Sequence, residues 1–69
     1  MLRERGYVAL MARILKGLEA KGINYNHVKR VADVSWSMVF KVANRQRRSA
    51  HVLATMGRLA GVAVPKRYL

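Results

Sequence analysis

Cysteine is absent from this 69-residue sequence, proline occurs once, and three carboxylates face 14 lysines and arginines. Without cysteine there is neither a disulfide nor a thiolate zinc site. The only imidazoles, His27 and His51, lie far apart in sequence and have few carboxylates to join them, so the chain offers little for a metal centre or an acid-base pair. Ser35, Ser37 and Ser49 are better explained as cap or turn residues than as nucleophiles, because no activating triad can be assembled around them. The five glycines are scattered and form no phosphate-cradling loop. Long apolar runs are missing too. The stretch from Tyr7 to Ala12 follows Arg3 and Arg5 like a targeting peptide, but Arg13 ends it far short of a membrane span and no small-residue cleavage site follows. No segment alternates long enough for a sheet, and there is no internal repeat or low-complexity tract. These absences argue against an enzyme, a cofactor, a metal, a small-molecule ligand and a membrane span, and the chain reads as cytoplasmic.

What remains is a chain that is 52% hydrophobic with a net charge of +11. That apolar content argues against disorder, and the length suits one domain with one core, able to bury only about 60% of its unfolded surface. The charge calls for an acidic partner, with nucleic acid first, an anionic membrane surface second and an acidic protein third.

The residues organise themselves as an all-α bundle of four to five helices, a single domain over 1–69 with an arm at 1–6 and a tail at 62–69. Tyr7, Met11, Ile14, Leu15 and Leu18 recur on one face of a first helix reaching Lys21, with Gly22 as its left-handed stop. Ile23 precedes the N-cap candidate Asn24 and staples the entry to a second helix ending near Ala32. Asp33 makes the corner, and Ser35 is the N-cap type for a third helix. Val28, Ala32, Val34, Val39 and Val42 give this helix pair one buried face. At about 100° per residue, Met38, Val39, Val42 and Ala43 share one sector of the third helix while Ser37, Phe40, Lys41, Asn44 and Arg45 share the opposite one, with Trp36 on the border. The outward stripe supplies donors and acceptors for base edges and phosphates, and the major groove is wide enough to admit such a helix. The bland alternative is a solvated helix face. Trp36 and Phe40 suit either a base or thymine-methyl contact or a cover over the edge of the core beside Ala43. A basic loop, Asn44 to Arg48, then leads to the cap candidate Ser49 and a helix over 50–60, stopped by Gly61 and Pro65. Gly57 in that helix costs about 1 kcal/mol relative to Ala and suggests close approach by another helix or by the tail.

From Leu18 to Val62, with KGIN, ADVSWSMVFKVANR and RRSAHVLATMGRLAGV, the chain resembles the Cro and lambda-repressor-like helix-turn-helix domains of phage and bacterial regulators. The closing Lys66-Arg67-Tyr68 is similar to that of the small Ner-type phage regulators. Three positions depart from the family pattern: Lys29 stands where a small Ala is usual, and Asp33 and Arg45 stand where Gly is usual. A fifth helix is missing or reduced to a turn after Pro65. The resemblance implies sequence-specific binding to double-stranded DNA, with Trp36, Ser37, Lys41 and Asn44 contacting bases and Ser35, Arg45, Arg47 and Arg48 meeting phosphate. One small module buries too little surface for tight operator binding, so a homodimer on an inverted repeat is expected. Its pairing surface is sought in Leu53, Gly57, Val62, Val64, Tyr68 and Leu69, with a tail that packs on its own core as the alternative. Two other function classes remain beside this one: an RNA-binding or ribosome-associated basic protein, and a basic amphipathic protein that binds a membrane surface or a partner helix.

Overall fold

The computed structural model describes residues 4–69 and is all-α: α1 (Arg5–Ala20), α2 (Tyr25–Ala32), α3 (Trp36–Ala43), α4 (Ala50–Ala60) and a closing 3-10 turn (Lys66–Tyr68). Local chemistry sets nearly every boundary. Asn24 Oδ1 accepts from the His27 amide at 3.0 Å, Ser35 Oγ from the Met38 amide at 3.1 Å and Ser49 Oγ from the Val52 amide at 3.3 Å. Each cap satisfies an amide that the first helical turn leaves without a partner. The stops are equally uniform. A left-handed residue follows each of the four α-helices: Gly22 (φ 67°), Asp33 (φ 57°), Arg45 (φ 59°) and Gly61 (φ 74°). The next residue's amide then bonds back to a carbonyl inside the helix, as Ile23 does to Leu18 at 2.9 Å, Val34 to Lys29 at 3.2 Å, Gln46 to Lys41 at 2.9 Å and Val62 to Gly57 at 2.9 Å. These bonds satisfy carbonyls that would otherwise be orphaned.

The four helices bury one cluster. Tyr7, Leu10, Met11, Ile14 and Leu18 enter it from α1, Val28 and Ala32 from α2, Val39, Val42 and Ala43 from α3, and Val52, Leu53, Met56 and Ala60 from α4. The helix α4 lies centrally and packs against the other three. Leu10 is a core member that the periodicity of α1 did not single out. Ile23 and Val34 pack on the margin of the cluster. Lys29, where the resembled family has a small residue, is exposed at the surface, so its length costs the core nothing. His51 adds a tie not legible in the sequence: its Nε2 donates to the Ala32 carbonyl at 2.6 Å, joining the start of α4 to the end of α2.

The expected arm needs correction, and the tail takes one of the two uses open to it, packing on its own core. Residues 1–3, Arg3 among them, lie outside the described residues, but Arg5 and Gly6 are already helical and Glu4 is the N-cap of α1. The tail holds that end down. Tyr68 is 3% exposed, donates its hydroxyl to Glu4 Oε1 at 2.8 Å, and meets the Tyr7 ring edge-on at 5.4 Å between centroids. Gly57 does admit the tail, because a Cβ there would stand 2.5 Å from Val64 Cγ2 and 3.0 Å from the Val62 carbonyl. The surface expected to pair two copies is therefore largely spent inside one. Leu53, Gly57 and Tyr68 are buried, Val62 and Val64 are half-buried against the core, and Leu69 alone of the six is exposed.

Removing an aromatic ring from such a site costs about 3–5 kcal/mol, so Tyr68→Ala should lower the unfolding free energy by that order, measured by urea denaturation. A loss under about 1 kcal/mol would show that the tail does not hold the fold. Alkali should act on the same contact. Burial pushes the Tyr68 hydroxyl up, its bond to Glu4 pushes the same way, and burial likewise raises Tyr7 against the opposing charge of Arg48. A raised tyrosine binds its proton more tightly when folded, so this stabilisation is complete at neutral pH and declines as the pH rises through and beyond about 10. The decline should be shallower in Tyr68→Phe.

Candidate nucleic-acid interface

The helix α3 is eight residues long and is held on one side only. Val39, Val42 and Ala43 are buried and Met38 is half-buried, while Trp36, Ser37, Phe40 and Lys41 are exposed, as is Asn44 at the C-cap. The angular reading of the sequence thus separates the two faces correctly, and Trp36, its border residue, lies on the outward side at 45% exposure. Ser35 stands at the start of this face with its hydroxyl already accepting from the Met38 amide. Asn44 is drawn back, since its Nδ2 donates to the Phe40 carbonyl at 2.8 Å. Ser37 and Lys41 occupy one edge of the outward face and the aromatic rings the other.

Those rings form a connected group. Trp36 and Phe40 stack with centroids 5.1 Å apart and planes 18° from parallel, and Tyr25 from the first turn of α2 leans on Trp36 at 6.2 Å. With Leu15, Leu18 and Ile23, Tyr25 and Trp36 line a groove of about 510 Å³ between the end of α1 and the start of α2. Trp36 therefore stands at the same groove as Leu15, Leu18 and Ile23. Tyr25 carried no sequence signal for this role, because its partner lies across the turn.

The basic loop divides its labour. Arg47 is exposed on the surface that follows α3, and Arg45, half-buried, occupies the left-handed position that ends α3. Arg48 is turned toward the tail: its guanidinium lies 5.3 Å from the centroid of Tyr7 and 5.4 Å from that of Tyr68, and it donates to the Arg67 carbonyl at 3.3 Å. Arg67 in turn covers Tyr68 from 4.8 Å. Expected beside Arg47 as a phosphate contact, Arg48 is exposed and also joins the loop to the tail. A cation held over an aromatic face is worth about 0.5–2 kcal/mol, which makes Arg48 a structural residue whatever else it touches.

Among the described residues no group of three or more His, Asp or Glu side chains is placed to hold a metal ion, and no helix is long and apolar enough to cross a membrane. His51, whose Nε2 bonds the Ala32 carbonyl, is held as a structural tie.

Among the described residues the two non-glycine residues in left-handed conformation, Asp33 and Arg45, stand at either end of α3. Strain of this kind costs most for residues without a short polar side chain, and glycine relieves it. Arg45→Gly should raise the unfolding free energy by about 0.5–1 kcal/mol and Asp33→Gly by less, since Asp tolerates this conformation better. Thermal denaturation of both variants checks the order, and destabilisation by Arg45→Gly would show that the arginine's contacts outweigh its strained backbone.

Comparison with known proteins adds no relative to this geometry: no protein-family model, no curated protein and no solved structure matches the chain.

Proposed function

We propose that the chain is a sequence-specific double-stranded DNA-binding protein, a small transcriptional regulator of the phage or bacterial repressor type, and not an enzyme. The observation that carries this reading is the outward face of α3. A capped helix, buried along one side and exposed along the other at Trp36, Ser37, Phe40 and Lys41, leads directly into a basic loop on a chain of charge +11. A helix so presented fits the major groove, where Ser37 and Lys41 reach base edges and cations after the helix meet the backbone. Arg47 is the clearest phosphate contact, with Arg45 and the start of α3 at Ser35 beside it. Asn44 contributes to base contact with whatever capacity its bond to the Phe40 carbonyl leaves.

Two copies on an inverted repeat complete the proposal. The longest extent of the described residues, 27 Å, is less than the roughly 34 Å between successive major-groove faces of a duplex, so one recognition helix in one copy does not read two half-sites. Because the tail is used within its own copy, the pairing surface lies elsewhere or the copies meet only on DNA. Such a protein works in the cytoplasm at the nucleoid.

Mobility shift with labelled duplex, challenged by single-stranded DNA and RNA, together with vesicle binding, tests the reading against its rivals. Preferential competition by RNA, or vesicle binding of equal strength, would overturn it. Within the duplex reading, Lys41→Ala should cost about 1–3 kcal/mol on the selected site and less on random sequence, relaxing one base preference. Arg47→Ala should weaken all duplexes alike and make the salt slope shallower by about 1. An unchanged ratio of specific to random binding in Lys41→Ala would reduce Lys41 to a backbone contact.

A further inference from the structure

We propose that α3 takes part of its sequence preference from thymine C5-methyl groups, touched by the stacked Trp36–Phe40 pair, beside the hydrogen bonding that Lys41 brings to a base edge. The proposal rests on the duplex-binding reading and deepens it. The helix sequence WSMVFKVA contains no arginine for a bidentate contact to guanine and no glutamine for adenine. Asn44, the one side-chain amide near the outward face, gives one Nδ2 hydrogen to the Phe40 carbonyl at 2.8 Å, which ties the amide back onto its own helix and restricts its reach for the two-point contact to adenine. Ser37 and Lys41 are left as the outward polar groups of the helix, and neither makes a planar fork.

Against that short inventory stand two large apolar side chains where a DNA-reading helix would carry its contacts. Trp36 is 45% exposed and Phe40 38%. They hold each other at 5.1 Å and 18°, and Tyr25 supports Trp36 from α2, so the pair is set before any ligand arrives. In the major groove the apolar feature of the base edges is the thymine methyl. Phe40 is followed by Lys41 and the loop beyond carries Arg45 and Arg47 on a chain of charge +11, which suits a polyanion rather than an apolar or cationic protein surface even with Glu19 in the groove beside Trp36. The stack also disfavours an unpaired nucleic acid. Single-stranded bases bind by lying on open ring faces, whereas here Trp36 and Phe40 already cover a face of one another.

The test changes the DNA, so the full chain is used as it is. Sites selected from a random duplex library should contain required thymines, and replacing these one at a time with deoxyuridine removes the methyl and leaves every hydrogen-bonding group in place. Binding should weaken roughly 4-fold at each methyl that the pair covers, the value for one buried carbon group. In Phe40→Ala and Trp36→Ala, whose side chains lie at the surface, the thymine-to-uracil ratio at the corresponding position should fall toward one, as a coupled pair requires. Equal binding of thymine and uracil duplexes, or a ratio unchanged in both variants, would overturn the proposal while leaving duplex recognition standing. Selection that yields no preferred duplex at all would overturn the duplex reading and this inference with it.

Discussion

The packing of three helices onto α4 is the constraint that governs everything else in the molecule. A chain this short can build one core, and α4 supplies its centre, with Val52, Leu53 and Met56 wholly excluded from solvent and Thr55 turned onto the His51 carbonyl at 2.9 Å. Because α1 and α2 also claim surface on α4, the short α3 is buried along one side and left open along the other. The recognition surface proposed for this protein is thus a by-product of how little core there is to share. His51 reinforces the arrangement by bonding the end of α2 from the start of α4, which holds the turn before α3 from behind.

The second constraint is charge. A compact body of charge +11 repels itself, and three carboxylates cannot neutralise it. The fold answers in part with aromatic faces: Arg48 lies against Tyr7 and Tyr68, and Arg67 against Tyr68. The same group of rings closes the N-terminal end of α1 through the bond from Tyr68 to Glu4, so the tail links the start of α1 to the loop after α3. The Tyr7 hydroxyl is buried there without a hydrogen-bond partner among the described residues, a cost of about 1–3 kcal/mol that the surrounding ring contacts offset. Strain gathers elsewhere, in the left-handed Asp33 and Arg45 that bracket α3.

The sequence by itself determined the all-α class, the helix boundaries other than the start of α1, and the face of α3 that stays exposed, because these depend on neighbours within a turn or two. Asn24, Ser35 and Ser49 each cap the helix after them, Gly22, Asp33 and Gly61 each stop the helix before them, and apolar spacing marks which side is buried. Only the tertiary structure decided what the long-range contacts are used for. Val64 meeting Gly57, Tyr68 meeting Tyr7 and Glu4, Arg48 meeting both tyrosines and Tyr25 meeting Trp36 join residues on different elements or across turns, which no periodicity records. For that reason the tail, which as sequence is a plausible pairing surface, is in the folded chain a lock on its own core. Arg48, which as sequence is one more loop cation, becomes part of that lock.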